Sequence, residues 1–258
     1  MRDLRVTLVQ GNLHWEDPGD NRARFAMKLK DLRGTTDLVV LPEMFTTGFT
    51  MRSRELAEGM DGRTVQWMRE QAAVLDAALY GSAIIRAGAQ CHNRGLFVTP
   101  DGAVTCYDKR HLFRFAGETD HYTPGTERVV VAWRGWRILL QICFDLRFPV
   151  FARNRGDYDA ILYVANWPEV RRYPWSQLLV ARAIENQCHV IGVNRVGQDG
   201  NGHLYSGDSA AIDPRGAVDV LPAGGEVIHT VRLDGAALAE FRAKFPVALE
   251  ADDFELRL

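Results

Sequence analysis

The sequence has no long apolar run, no cysteine pair at metal or redox spacing, no internal repeat, no low-complexity tract and no marked excess of either charge. Each absence removes a class of function. A bilayer span needs about 20 consecutive apolar residues, and none is present. The opening MRDLRVTLVQ is too short an apolar run for a signal peptide, so a cytoplasmic enzyme is the expectation. Cys91, Cys106, Cys143 and Cys188 are scattered, with no CxxC, which argues against a zinc knuckle or a redox dithiol. In a cytoplasmic compartment all four are expected to be reduced thiols. Lys and Arg number 31 against 33 Asp and Glu, a net charge of -2, so no basic excess points to nucleic acid or an anionic membrane surface. No Pro/Gly/Ser linker divides the chain. Residues 1–258 are expected to form one domain, with a core at about 4–232 and a C-terminal helix and tail at 233–258.

What is there is ordinary globular composition: 258 residues, 47% hydrophobic and 25% charged, enough for a sizeable core. Leu4 to Gln10 reads as a strand, and Phe25, Met27, Leu29 and Leu32 among charges read as a helix. Asp37 to Leu41 is a short apolar run stopped by Pro42. Thr64 to Leu79 reads as a helix and Tyr80 to Ile85 as a strand. Cys91-His92 reads as a loop. Hairpins are expected around Pro100-Asp101-Gly102 and Arg134-Gly135. Arg137 to Ile142 leads straight into Cys143. Phe148 to Arg155 and Trp175 to Asn186 read as helices. Ala160 to Ala165, Cys188 to Arg195, Ser209 to Asp213, Ala217 to Val220 and Val227 to Arg232 read as strands. Asp234 is placed to cap a last helix ending at Phe245. The mixture predicts an α/β fold with two sheets and flanking helices.

Three segments put polar residues at the ends of buried-looking strands, where α/β scaffolds present reactive groups. They are Leu41-Pro42-Glu43-Met44-Phe45, Tyr107-Asp108-Lys109-Arg110-His111-Leu112-Phe113, and Ile142-Cys143-Phe144-Asp145-Leu146-Arg147-Phe148-Pro149. A thiol at a strand-to-helix turn can stand clear of the sheet with backbone N–H groups aimed at it, the logic of a nucleophile elbow. Taken alone, such a cysteine is more often a small core hydrophobe. A carboxylate just after an apolar strand and Pro42 is a natural base for a thiol, although a helix cap or a solvated acid would read the same way. Lys109 in its mixed-charge run reads, by itself, as a surface turn. Cys–His chemistry is the alternative pairing, but none of the seven histidines lies in a recognisable catalytic segment.

Read together, the three segments resemble the carbon–nitrogen hydrolase, or nitrilase, superfamily, in family order and from the first strand to about Arg232. Arg182-Ala183-Ile184-Glu185-Asn186, Asn166-Trp167-Pro168, Gly207-Asp208-Ser209 and Asp213-Pro214-Arg215-Gly216 add to the likeness. The resemblance implies a four-layer α-β-β-α sandwich, dimerised through its layers, and a Glu–Lys–Cys triad at Glu43, Lys109 and Cys143. It also implies a supporting glutamate at Glu118. Pro42 to Phe49 and Cys143 to Pro149 look like the ω-amidase branch, which removes ammonia from the ω-amide of α-keto acids such as α-ketoglutaramate.

On that resemblance Cys143 is the nucleophile and Glu43 the general base. Lys109, with the backbone N–H of Phe144, stabilises the oxyanion, and Glu118 orients the others. No metal or other cofactor is called for. A keto-acid amide carries a distal carboxylate, for which Arg147 is the candidate partner; the competing reading is a salt bridge to Asp145. Trp167 is a candidate pocket wall or a plain core residue. The competing functions are an N-carbamoyl amine hydrolase of the same superfamily, a metal-dependent phosphoesterase of similar layering, and a non-catalytic binding protein.

Overall fold

The computed structural model describes residues 2–256. The strands run in chain order as β1 Leu4–Gln10, β2 Leu38–Val40, β3 Ala78–Ala87, β4 Gln90–Val98, β5 Val104–Asp108, β6 Val130–Trp133, β7 Trp136–Ile142, β8 Ala160–Ala165 and β9 His189–Asn194. They continue as β10 Val196–Gln198, β11 Leu204–Ser206, β12 Ala210–Ile212, β13 Val218–Val220 and β14 Val227–Leu233. One sheet has the order β14-β1-β2-β3-β4-β5 and the other β13-β12-β9-β8-β7-β6, with β10-β11 a small hairpin of its own. β1, β2 and β3 pair in parallel, as do β7, β8 and β9.

Alternation along the strands builds the layers. Leu4, Val6 and Leu8 of β1 and Ile138, Leu140 and Ile142 of β7 share one buried cluster between the sheets. Val9 and Val39 point the other way, onto Phe25 and Leu29 of the helix Pro18–Leu29 and Val65, Met68 and Ala72 of the helix Arg63–Leu75. Leu139, Ile161 and Val190 face Trp175, Leu179 and Ala183 of the helix Arg172–Asn186. The result is the expected α-β-β-α sandwich. Two polar ties pin the first sheet to the hairpin turn of the second. Asp37, beside β2, accepts from Arg134, and its backbone oxygen accepts from Trp133 Nε1 at 2.8 Å. Among the described residues no helix is long and apolar enough to cross a membrane.

Most predicted elements are present within a residue or two, including the Asp234 cap, whose side chain accepts from Ala237 N at 2.9 Å. Three expectations need correction. The helix read over Thr64 to Leu79 stops at Leu75, because Asp76 turns left-handed at φ 52° and closes the last turn onto Ala72 and Ala73. Ala78 and Leu79, good helix formers, are instead paired with Leu38 and Val39 of β2. The helix read over Phe148 to Arg155 is one turn, Pro149–Ala152, preceded by a 3₁₀ turn over Cys143–Arg147. Cys91-His92 is not a loop: both lie in β4, opposite Arg86 and Ile85 of β3. Pairing with β2 across a long connection overrode the helical pattern at Ala78 and Leu79, and the tight hairpin with β3 drew Cys91-His92 into a strand.

Candidate active site

Glu43 follows β2 in a turn held from the neighbouring strands. Met44 N donates to Ser82 Oγ at 2.8 Å and Phe45 N to Ser82 O at 3.1 Å. Met44 itself has φ 42°, so the turn is sharp as well as anchored. The Glu43 side chain is fully buried and every tie to it is specific. Oε1 accepts from Asn93 Nδ2 and from Lys109 Nζ, each at 2.8 Å, and Oε2 accepts from the backbone N–H of Asn166 at 2.8 Å. Asn166 Nδ2 donates to the Glu43 backbone oxygen at 2.6 Å.

Lys109 follows β5, its N–H continuing the ladder to Asn93 O at 3.0 Å. Gly125 crosses so closely beside it that a Cβ there would meet Asp108 O at 2.3 Å, a space only glycine fits. The ammonium is buried and donates to both oxygens of Glu118 at 3.0 Å as well as to Glu43. Phe49 covers it, with Nζ 5.1 Å from the ring centroid. Burial works against the charge, but Glu118 and Glu43 outweigh it and raise the Lys109 pKa above the usual lysine range. Glu118, at the start of the short helix Glu118–His121, also accepts from Phe113 N and Asn93 Nδ2. Burial raises its pKa, with Lys109 pulling the other way.

Cys143 follows β7 directly, at φ 45°, an uncommon conformation for a side chain with a Cβ and one that costs of order 1–2 kcal/mol. Asp145 holds that turn. Its Oδ2 accepts from Ile142 N at 3.0 Å and Tyr107 Oη at 2.7 Å, and its Oδ1 accepts from His111 N at 2.9 Å with His111 Nδ1 at 2.8 Å. One buried carboxylate thereby joins the Cys143 turn to the strand and loop that carry Lys109. Burial and the Glu43 charge push the Cys143 thiol well up, while Lys109 pulls it down. A thiol pushed in this direction needs a base to react at neutral pH.

These groups open onto a cavity of about 480 Å³. Phe49, Phe113, Phe144, Trp167 and Tyr205 give it aromatic walls, and Lys109, Cys143, Asn166, Arg147 and Arg171 line it as well. Arg147 lies over the Trp167 ring at 5.2 Å and Arg171 over Phe113 at 5.3 Å. Among the described residues neither guanidinium has a carboxylate partner. Asp145 is occupied by Tyr107, His111 and Ile142, so the alternative pairing of Arg147 with Asp145 is not made. Trp167 satisfies both of its readings: it lines the cavity and packs on Trp175 at 5.5 Å in the core.

All seven residues singled out in the sequence thus lie at or around one cavity. Asn93, Asp145 and Arg171 were not singled out. Asp145 lies inside a quoted segment and Asn166 opens another, but their contacts depend on residues far along the chain. Asn93 sits mid-strand with no local signal at all. A thiol, a carboxylate and an ammonium in this arrangement can carry out acyl transfer from an amide.

The carbon–nitrogen hydrolase family model matches residues 5–243. The "Omega-amidase YafV" of Escherichia coli K12 is 47% identical over 99% of this chain and 100% of its own. The "2-oxoglutaramate amidase" of Bacillus subtilis is 30% identical over 94% of this chain and 95% of its own. The crystal structure of a CN-hydrolase superfamily protein from Xanthomonas campestris, which carries an arsenic adduct in its active site, superposes with a TM-score of 0.98. That protein is 52% identical, with full coverage of both chains.

Proposed function

The chain belongs to the carbon–nitrogen hydrolase family and is an amidase, and on that premise we infer that it releases ammonia from the ω-amide of a small α-keto acid of the α-ketoglutaramate type. The observation that carries this reading is a buried Glu43–Lys109–Glu118 cluster beside the Cys143 thiol, opening into a cavity with two guanidiniums that lack carboxylate partners among the described residues. The identity to ω-amidases over nearly the whole chain supports it.

In this reading Glu43 takes the thiol proton as Cys143 Sγ attacks the amide carbon. The carbonyl electron pair moves to oxygen, where the Lys109 ammonium and the Phe144 N–H stabilise it. The oxygen pair then returns, the C–N bond breaks, and Glu43 gives its proton to the departing nitrogen, which leaves as ammonia. Glu43 next deprotonates a water that attacks the thioester, and the thiol is regenerated with the free carboxylic acid. Glu118 keeps Lys109 charged and aimed. Arg147 takes the distal carboxylate, with Trp167 behind it as a wall. The assembly proposed is a homodimer or a higher homo-oligomer, which a sedimentation measurement tests separately.

Steady-state ammonia release from α-ketoglutaramate, succinamate, glutamine and N-carbamoyl-β-alanine, measured side by side, tests the substrate class. α-Ketoglutaramate is expected to give the highest kcat/KM. Preferential turnover of the carbamoyl compound, with carbon dioxide released, would replace the proposal by a carbamoyl hydrolase.

A further inference from the structure

Asn166 stands at the end of β8 with its backbone and side chain both tied to Glu43. Its N–H donates to Glu43 Oε2 at 2.8 Å and its Nδ2 to Glu43 O at 2.6 Å. The next residue is clamped as well: Trp167 N donates to Asn194 Oδ1 at 2.8 Å, and Asn194 Nδ2 returns to Trp167 O at 3.0 Å. These bonds fix the amide orientation, because only the NH₂ end can donate to a backbone oxygen. Among the described residues Asn166 Oδ1 is left buried and without a hydrogen-bond partner, on a residue 4% exposed that lines the same cavity as Cys143. An orphaned buried acceptor costs free energy in the resting protein, so its retention in a reaction cavity calls for an incoming donor.

A primary carboxamide brings two N–H donors, and the departing ammonia of the tetrahedral intermediate brings more. Glu43 must spend its own acceptor on the proton in transit. We propose that Asn166 Oδ1 accepts an N–H of the scissile amide and of the departing nitrogen, and is thereby the residue that selects primary amides over esters of the same acid. This rests on the amidase reading above. An ester places an alkoxy oxygen where the amide has N–H, so its lone pairs face Asn166 Oδ1 and gain nothing.

The test compares succinamate with monomethyl succinate, which form the same acyl-enzyme and differ only in the group expelled. Asn166→Leu keeps the volume and removes the acceptor. It is expected to lower the amide-to-ester ratio of kcat/KM by about ten- to a hundredfold, the usual cost of a lost hydrogen bond to a group gaining charge. Asn166→Asp restores the acceptor while still lacking the donor to Glu43 O, and should keep the ratio within about fivefold of wild type. If Asn166 serves only to hold Glu43, the two variants, which both lack the donor to Glu43 O, change the ratio by the same factor, which overturns the proposal. Should Asn166→Leu fail to fold, a tenfold fall of the ratio in Asn166→Asp overturns it equally. Cys143→Ala separates the two levels. If that variant still cleaves both substrates, the thioester reading beneath has failed; if it cleaves neither while Asn166→Leu leaves the ratio unchanged, only the role of Asn166 has.

Discussion

Lys109 Nζ lies 2.8 Å from Glu43 Oε1, and both side chains are completely buried. With Glu118 on its other side, one cation serves two carboxylates. Its pKa is raised above the usual 10.5 despite burial, so the stability it contributes is fully present below about pH 10.5 and is lost only as pH climbs through the raised folded value. At neutral pH the ammonium is charged.

Lys109→Met removes that charge. The expected loss in kcat/KM is about 10²–10³-fold or more, with some loss of stability because two buried carboxylates are left uncompensated. Because Lys109 pulls the thiol pKa down, the pH profile of Cys143 alkylation by iodoacetamide should move to higher pH in this variant. An unmoved profile would mean that Lys109 does not act on the thiol.

Glu43→Gln keeps the shape and removes the proposed base. Turnover should fall by about 10²–10⁴-fold, in both acylation and deacylation. The negative charge of Glu43 raises the thiol pKa, so here the alkylation profile should move to lower pH, opposite to Lys109→Met. A loss of less than about tenfold would assign the base role elsewhere.

Cys143→Ala should abolish ammonia release while the melting temperature stays close to wild type. Cys91→Ala, Cys106→Ala and Cys188→Ala should keep most activity, since those thiols lie away from the cavity. Near-normal turnover in purified Cys143→Ala would remove the nucleophile assignment.

Arg147→Ala should raise KM for α-ketoglutaramate far more than for an uncharged amide of similar length, by roughly thirtyfold or more if about 2–5 kcal/mol of charge-assisted contact is lost. Arg147→Lys should rescue in part, keeping the charge without the fork. Equal losses on charged and neutral amides would show that Arg147 does not read the carboxylate. The nearby Arg171 makes its own single variant a natural companion.

Asp37 offers a stability prediction away from the site. Burial alone would raise its pKa, but Arg5 and Arg134 outweigh that and hold it below the usual 3.8. A depressed folded pKa means stability present above the unfolded value and lost as pH falls through the folded one. Asp37→Asn should therefore cost about 1–3 kcal/mol at neutral pH, with the gap from wild type closing below about pH 4. Denaturant melts from pH 3 to 7 measure it, and a gap independent of pH would mean that the charge of Asp37 is not what matters.

The chain's own pattern determined the strands that carry the chemistry, the hairpin turns, the Asp234 cap and the three polar segments around Glu43, Lys109 and Cys143. Local alternation and turn chemistry are short-range, so they can be read without knowing what packs where. Resemblance then supplied the shared role of those segments, which no spacing gave. Tertiary structure alone decided the rest. The stop at Asp76 goes with the pairing of Ala78 and Leu79 to the distant β2, and the strand at Cys91-His92 follows from its hairpin with β3. Glu43 meets Asn166 across 123 residues of chain and Ser82 meets Asn93 one strand over, so the orphaned acceptor at Asn166 and the grip on Glu43 exist only once both sheets have closed. Buried polar groups take their function from whichever partners the fold brings within hydrogen-bond reach, and that is set by long-range strand order rather than by neighbours in sequence.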